Sequence, residues 1–332
     1  MQRHAPSSTP PDFEAVVENA RKISAWARRT PVVGWTSFDG DARFAGADLW
    51  LKLELLQVTG SFKLRSALTV VGALNQKQRA RGLVTVSSGN FAIACAYAAK
   101  VHAARVTVFM SKKADPYRVA RARSLGADVR LVDDNLAAFR EARALDAAGE
   151  RTFVHPWDGP LTSLGTASLA LELHADLPPE VQTFVVAIGG GSLISGLAPT
   201  IKALRPDARV IGVEPTGAAT LFDSVRQGRP SQEMPAGTIA DSLAAPFAET
   251  YSFGLVRDFV DDILLVEDEA ILDAMRTLFR ASRLAVEPAA ATALAAVAAY
   301  PDRFKGGVLA MVCGSNISTD RFTGLLGGLP HD

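Results

Sequence analysis

The sequence predicts an α/β protein with mostly parallel sheets covered by helices on both faces. Three observations carry this. Apolar strand-like runs alternate with stretches of helical period along most of the chain. The runs GLVTVSS and RVTVFM look like buried strands. QTFVVAIGGGSLISGLAPTIKALRPDARVIGVEP reads as a strand, a glycine loop, a helix and a second strand.

The elements follow in order. TPPDFEAVVENARKISAWARR reads as a helix with Thr9 as its cap and Pro10 at its first position. DLWLKLELLQV alternates like a strand, and LRSALTVVGALNQ after it has helical spacing. Lys63, in TGSFKLRSA, therefore falls where a strand hands over to a helix among small and apolar residues. Strand GLVTVSS, helix FAIACAYAAKVH, strand RVTVFM, helix ADPYRVARARSLG, strand ADVRLV and helix NLAAFREARALDAAG come next. After the glycine-loop unit, DDILLVEDEAILDAMRTLFRAS is a strand and helix, EPAAATALAAVAAY a helix and GGVLAMVCGSN a last strand. Residues 81–158 are expected to form a small mobile unit with its own open sheet. Residues 1–80 with 159–332 then make a larger unit, with a cleft between the two.

Bulk properties exclude several function classes. The chain has 332 residues, enough to bury a sizeable core. Lys plus Arg equals Asp plus Glu at 35 each, so no net charge favours nucleic acid or a membrane surface. No apolar run reaches the roughly 18 residues of a membrane span. MQRHAPSSTPPDF lacks the apolar core of a signal peptide. Cys95 and Cys313 are too few for a disulfide framework and lack metal-site spacing. A reduced, cytoplasmic location is expected. His155 stands alone before Pro156, His4 and His331 are terminal, and no metal site or Ser–His–Asp set emerges.

Three polar turns stand out. AIGGGSLISG, Ala187 to Gly196, follows a strand and opens a helix. Its glycines let an anion approach the backbone, and amides at the helix start can hold a phosphate. Three successive glycines exceed what a turn requires, although a tight turn with no ligand stays open. A dinucleotide reading fails, because Ile194 occupies the last glycine position of G-x-G-x-x-G even though Glu214 closes the next strand. A Walker-type reading fails for lack of a following Gly-Lys-Ser/Thr. VSSGNFA, Val86 to Ala92, is a second anion-friendly turn or a plain helix cap. MVCGSNIS, Met311 to Ser318, ends the last strand, and Cys313 there is either functional or a buried inert thiol.

Together these motifs resemble fold type II pyridoxal-phosphate enzymes, the serine/threonine dehydratase and serine racemase group, whose fold is like that of the tryptophan synthase β chain. GSFKLRSA resembles the lysine motif, SSGNFA the substrate-carboxylate loop and GGGSLISG the phosphate loop. RRTPVVGWTSF, HPWDGPLTSLGTASLALEL, VIGVEP, GTIADSLA and EPAAAT also match, in order, from Arg28 to Ser318. The resemblance implies pyridoxal 5'-phosphate as cofactor, held by Lys63 as a Schiff base. It implies that the amides of Gly189, Gly190, Gly191, Ser192 and Leu193 take the phosphate. Phe62, Asn90, Glu287 and Cys313 would complete the cofactor site, with Asn90 at the ring hydroxyl and Cys313 at the pyridine nitrogen. Ser87, Ser88, Gly89, Asn90 and Phe91 would receive the substrate carboxylate, with Trp157 and Asp241 also on the substrate side. Lys63 and Ser88 would be catalytic, Ser88 as the racemase-type group on the opposite cofactor face.

The chain departs from that pattern in places. Ser66, Ser192 and Ser242 stand where glycine is usual, and Phe91 where histidine is. Leu164 replaces a glutamine, and Trp157 a phenylalanine or asparagine. These changes point to a more apolar cleft and to a β-hydroxy amino acid with a bulky or aromatic substituent, such as phenylserine. The alternative is a repacked cleft for serine or threonine. A second substrate carboxylate is not expected, because no arginine is evident for it. Glu214 matches a divalent-cation ligand of some relatives, but Thr220 replaces the second acid, so no tight divalent metal site is expected, and a monovalent cation stays open. The expected activity is dehydration and deamination of a β-hydroxy-α-amino acid to a 2-oxo acid and ammonia. Serine-type racemisation is the alternative, with β-replacement of the cysteine-synthase kind and a non-catalytic cofactor-binding sensor behind it. A homodimer and a small amino-acid substrate are expected, with no nucleic acid and no membrane partner.

Overall fold

The computed structural model describes residues 8–327, apart from 36–41, 45, 233, 235 and 236. His4 and His331 lie outside the described residues. In the first part of the chain, the strands are β1 (Val32–Gly34), β2 (Ala47–Leu53), β3 (Leu83–Val86), β4 (Val106–Ser111), β5 (Asp128–Val132) and β6 (Thr152–Phe153). The helices around them are α1 (Phe13–Ile23), α2 (Lys63–Ala73), α3 (Gln76–Arg81), α4 (Asn90–Val101), α5 (Pro116–Ser124) and α6 (Asn135–Ala147). The later strands are β7 (Val181–Ala187), β8 (Arg209–Pro215), β9 (Asp262–Val266) and β10 (Gly306–Val312). The later helices are α7 (Pro160–Asp176), α8 (Ile194–Leu204), α9 (Thr220–Gln227), α10 (Thr250–Phe259), α11 (Asp268–Ser282), α12 (Pro288–Ala299) and α13 (Thr319–Leu326).

Two sheets result. One has six strands in the order β1-β2-β10-β7-β8-β9, and the other has four in the order β5-β4-β3-β6. Only β1 runs antiparallel to its neighbour. The four-stranded sheet is wholly parallel and is built from strands within residues 83–153. Parallel neighbours need crossovers, and the helices between strands supply them and cover the faces.

The core divides accordingly. The larger cluster lies on the six-stranded sheet, where α12 is buried along nearly its whole length. Its run of alanines brings the helix backbone close to the strands. The second cluster joins the four-stranded sheet and α4 to Leu64, Ala67, Leu68 and Val71 of α2. Helix α2 also packs against α7, so it lies between both cores. Lys63 is therefore anchored from two sides.

Two expectations change. The first helix begins at Phe13, not at Thr9 or Pro10, because the Asp12 carboxylate accepts from the Ala15 amide at 3.0 Å and caps it there. The strand in DLWLKLELLQV stops at Leu53, and Glu54–Leu56 forms a 3-10 turn. This places Glu54 fully inside, bound by Arg65 Nε at 3.0 Å and Nη2 at 2.8 Å. Helix α7 carries little periodic signal because α1, α2 and α8 cover much of its surface.

Among the described residues no helix is long and apolar enough to cross a membrane. Cys95 and Cys313 are both free and buried.

Candidate active site

Lys63 opens α2, and its loop is stitched to the end of β10. Phe62 N donates to Cys313 O at 3.2 Å, and Ser315 N donates to Gly60 O at 2.9 Å. Behind the lysine, Arg65 is buried between Glu54 and Glu172, with Nη1 at 2.7 Å from Glu172 Oε1. Lys52 Nζ meets the other Glu172 oxygen at 2.6 Å. The Lys63 amine donates to Pro156 O at 3.0 Å and to Ser192 Oγ at 2.6 Å. It lies 5.2 Å from the Phe62 ring centre and 6.0 Å from that of Phe91. Burial in these apolar surroundings pushes its pKa down to about 7, and the nearby Cys313 opposes this only in part. Lys63 thus reaches the neutral form a nucleophilic amine needs.

The glycine loop joins β7 to α8. Each glycine has a packing reason of its own. A Cβ on Gly189 would fall 2.9 Å from Leu243 Cα, and one on Gly190 would fall 2.3 Å from the Trp157 indole. Gly191 has φ +90°, which favours glycine. Run length alone was therefore not a phosphate signal. The amides are. Among the described residues, no protein acceptor meets the N–H groups of Gly189, Gly190, Gly191, Ser192 or Leu193. Unpaired consecutive amides at a helix start, bordering a cavity, fit a phosphate dianion.

The turn before α4 has the same character. Ser87 N is used by Phe109 O at 3.0 Å and Gly89 N by Ser87 Oγ at 3.3 Å. The amides of Ser88, Asn90 and Phe91 meet no acceptor among the described residues. Ser88 Oγ accepts from Ser111 N at 2.7 Å, leaving its own proton to donate.

Asn90 leads into a buried polar chain. Its Oδ1 accepts from Asn316 Nδ2 at 2.6 Å, and its Nδ2 donates to Glu287 Oε1 at 2.5 Å. Arg118, on α5, donates to Glu287 Oε2 at 2.7 Å and to Asp241 Oδ2 at 2.8 Å. Ser242 Oγ also donates to Glu287 Oε2, at 3.2 Å. Burial pushes the Glu287 carboxyl up and Arg118 pulls it back. With donors on both oxygens, the carboxylate is the form that fits. Burial likewise opposes charge on Asp241, but Arg118 and Arg321 outweigh it and hold that carboxyl below its usual range. Burial, with Glu287 and Glu54 nearby, pushes the Cys313 thiol well up, so it is protonated at neutral pH.

Lys63, the two loops and much of this polar chain border one cavity of about 370 Å³. Its lining includes Phe62, Lys63, the loop from Ser87 to Phe91, the loop from Gly189 to Leu193, and Trp157, Asp241, Glu287 and Cys313. The structure thus brings together every expected site residue. Asp241 comes with a correction: its oxygens are taken by Arg118 and Arg321, so it is first their counter-ion rather than a free substrate ligand. A second correction concerns Leu164. It is not on this cavity but borders a separate groove beside Pro160, Leu161 and Tyr251.

Sequence reasoning missed Arg118 and Phe139, which also line the cavity. Phe139 meets Trp157 edge-on with ring centres 5.2 Å apart, and Phe247 backs both at 5.3 and 5.2 Å. Phe139 reads as one more core residue on an amphipathic helix, and Arg118 as one of several surface arginines on α5. No local signal separates either from those. Glu214 accepts from the Leu221 and Phe222 amides at 3.0 and 2.7 Å, and burial pushes its pKa up to about 8. Among the described residues no group of His, Cys, Asp and Glu is placed to hold a metal ion.

Comparison with known proteins agrees with this geometry. The chain is 39% identical over 323 residues to a phenylserine dehydratase from Ralstonia pickettii, covering 97% of this chain and 98% of that protein. It is 34% identical to an L-threonine ammonia-lyase from Thermotoga maritima, covering 83% of this chain and 69% of that protein. The solved structure of maize serine racemase superposes with a TM-score of 0.88 at 31% identity, covering 95% of this chain and 97% of that one. Residues 23–314 match the family described as pyridoxal-phosphate dependent enzyme. The lysine, the free amides and the cleft between two parallel-rich sheets are features of that fold type II architecture, and the chain belongs to the pyridoxal-phosphate dependent enzyme family.

Proposed function

We propose that the protein is a pyridoxal-phosphate-dependent ammonia-lyase that dehydrates β-hydroxy-α-amino acids bearing an aromatic β-substituent, with phenylserine as the prototype. The observation that carries the substrate class is the wall of Phe139 and Trp157 on the cavity that holds Lys63. Two aromatic rings with a third behind them suit an aryl group, which gains edge-to-face contacts beyond its buried area. The likeness to a phenylserine dehydratase supports the same reading.

The residues present fit the cofactor. The amides from Gly189 to Leu193 would take its phosphate, Lys63 would be its attachment point, and Asn90 and Cys313 would serve the ring hydroxyl and ring nitrogen. When bound, the cofactor supplies an electron sink next to the substrate Cα. The chain does the rest. The amides of Ser88, Asn90 and Phe91 receive the substrate carboxylate. Lys63, whose burial lowers its pKa to about 7, takes the Cα proton in its neutral form. The Cys313 thiol stays neutral, so it does not hold a proton on the ring nitrogen as a carboxylate would. That favours loss of the β-hydroxyl, as water, over transamination. Tautomerisation and hydrolysis then give a 2-oxo acid and ammonia.

Steady-state kinetics test the substrate class. The specificity constant for threo- or erythro-phenylserine should exceed that for threonine; a higher value for threonine overturns the aryl reading. A racemase side reaction is favoured by one observation, the Ser88 hydroxyl on the same cavity. Loss of optical purity in unreacted serine checks it. The proposal also includes a homodimer, checked by sedimentation, and a reduced cytoplasmic setting, in keeping with two buried free thiols. It takes residues 81–158, which hold the four-stranded sheet, as the unit that moves.

A further inference from the structure

We infer that Arg118 and Asn316 are positioning residues that fix the Asn90 amide in a single orientation and tie the seating of the cofactor ring to the four-stranded side of the cleft. An asparagine amide can be turned over with little change in shape, so its neighbours must settle which end donates. Here the neighbours form a chain with one solution. Thr59 O can only accept, and Asn316 Nδ2 donates to it at 2.9 Å. The second proton of that nitrogen goes to Asn90 Oδ1 at 2.6 Å. On the far side, Glu287 Oε2 takes Arg118 at 2.7 Å and Ser242 at 3.2 Å, so Glu287 acts as an acceptor. Its other oxygen therefore needs a donor, which Asn90 Nδ2 provides. One Asn90 N–H is left over at the cavity wall, and it can only donate.

Arg118 holds this arrangement from across the cleft. It is 1% exposed and sits on α5, between β4 and β5 of the four-stranded sheet. Its Nε donates to Asn316 O at 2.7 Å, and its Nη atoms reach Glu287 and both oxygens of Asp241. One guanidinium therefore grips both neighbours of Asn90. A lysine, with a single point of charge, cannot span these acceptors in the same way.

The inference rests on the pyridoxal-phosphate reading, and its test separates the two. Wild-type protein titrated with pyridoxal 5'-phosphate should develop a near-violet band; no band in the wild type sinks the functional reading itself. Given the band, Arg118→Met should weaken cofactor binding about 10-fold or more and also shift the band or its pH dependence, because the donor to the ring hydroxyl is no longer held. Arg118→Lys should fall between the two in both readouts, and it serves as the working variant if Arg118→Met does not fold. Wild-type affinity and band in Arg118→Met, or in Arg118→Lys where Arg118→Met does not fold, overturn the inference. So does weaker binding with an unchanged band and pH profile, which marks Arg118 as structural only.

Discussion

The Lys63 amine lies 2.6 Å from the Ser192 hydroxyl, in the loop whose amides face the same cavity. A glycine at that position, as in the pattern this chain resembles, would leave the amine without this contact. The hydroxyl oxygen accepts from the amine. That favours the ammonium form and works against the burial that pushes Lys63 down to about 7. Ser192→Ala should therefore move the Lys63 pKa lower still. The apoenzyme provides the measurement: the rate at which pyridoxal phosphate is captured, against pH, should show an earlier midpoint in the variant. A later midpoint means the hydroxyl donates to the amine instead.

The wild-type profile is itself a prediction. An ordinary lysine is charged until about pH 10. Lys63, shifted to about 7, should capture cofactor with a midpoint near neutrality. Lys63→Ala should lose the near-violet band, the borohydride-trapped peptide and turnover, the last by about 10³-fold or more, since one group serves as attachment point and base. Surviving turnover would put the base elsewhere.

Phe139→Ala should separate aryl from alkyl substrates. The ring it removes is exposed to the cavity and packs 5.2 Å from Trp157. A lost aromatic contact of this kind is worth about 1–3 kcal/mol, or roughly 5- to 160-fold in the specificity constant for phenylserine. Threonine, which has no aryl group to pack against that wall, should change by less than about 3-fold. Equal losses on both substrates would show that Phe139 only shapes the cleft.

Much of this was legible in the sequence because the signals were local. The lysine, glycine and SSGN turns each sit at a strand-to-helix junction, where chain direction and free amides are set by a few neighbouring residues. Strand runs such as those of β3 and β7 declared themselves by being mostly apolar. What escaped depends on contacts distant in sequence. Arg118 becomes a site residue only because α5 is folded onto Glu287 and Asn316, and Phe139 only because α6 faces Trp157. Leu164 was assigned to the cleft from its place in a motif, but the helical turn it occupies faces away, towards Asn19, whose Nδ2 donates to Leu164 O at 3.4 Å. Glu54 looked like a polar strand residue, and only the fold shows it buried against Arg65.

The Glu54–Arg65 pair makes the last prediction, on stability. Glu54 is 0% and Arg65 2% exposed on their side chains, and Lys52 and Glu172 complete the cluster. A buried ion pair adds little over apolar packing, but removing one partner strands the other. Glu54→Leu should then cost about 3 kcal/mol or more at pH 7, read by denaturant unfolding of the apoenzyme. The pH dependence follows from the same contacts. Burial raises the Glu54 pKa, but Arg65 and Thr30 lower it further, and the net direction is down. A carboxylate depressed in the folded state binds fewer protons there than in the unfolded chain. Its stabilisation is thus full above the ordinary value of 4.5 and lost as pH falls below it. The gap between wild type and Glu54→Leu should accordingly narrow between about pH 5 and pH 3. A gap that stays constant through that range would mean that Glu54 contributes packing rather than charge, and that Arg65 is held by Glu172 alone.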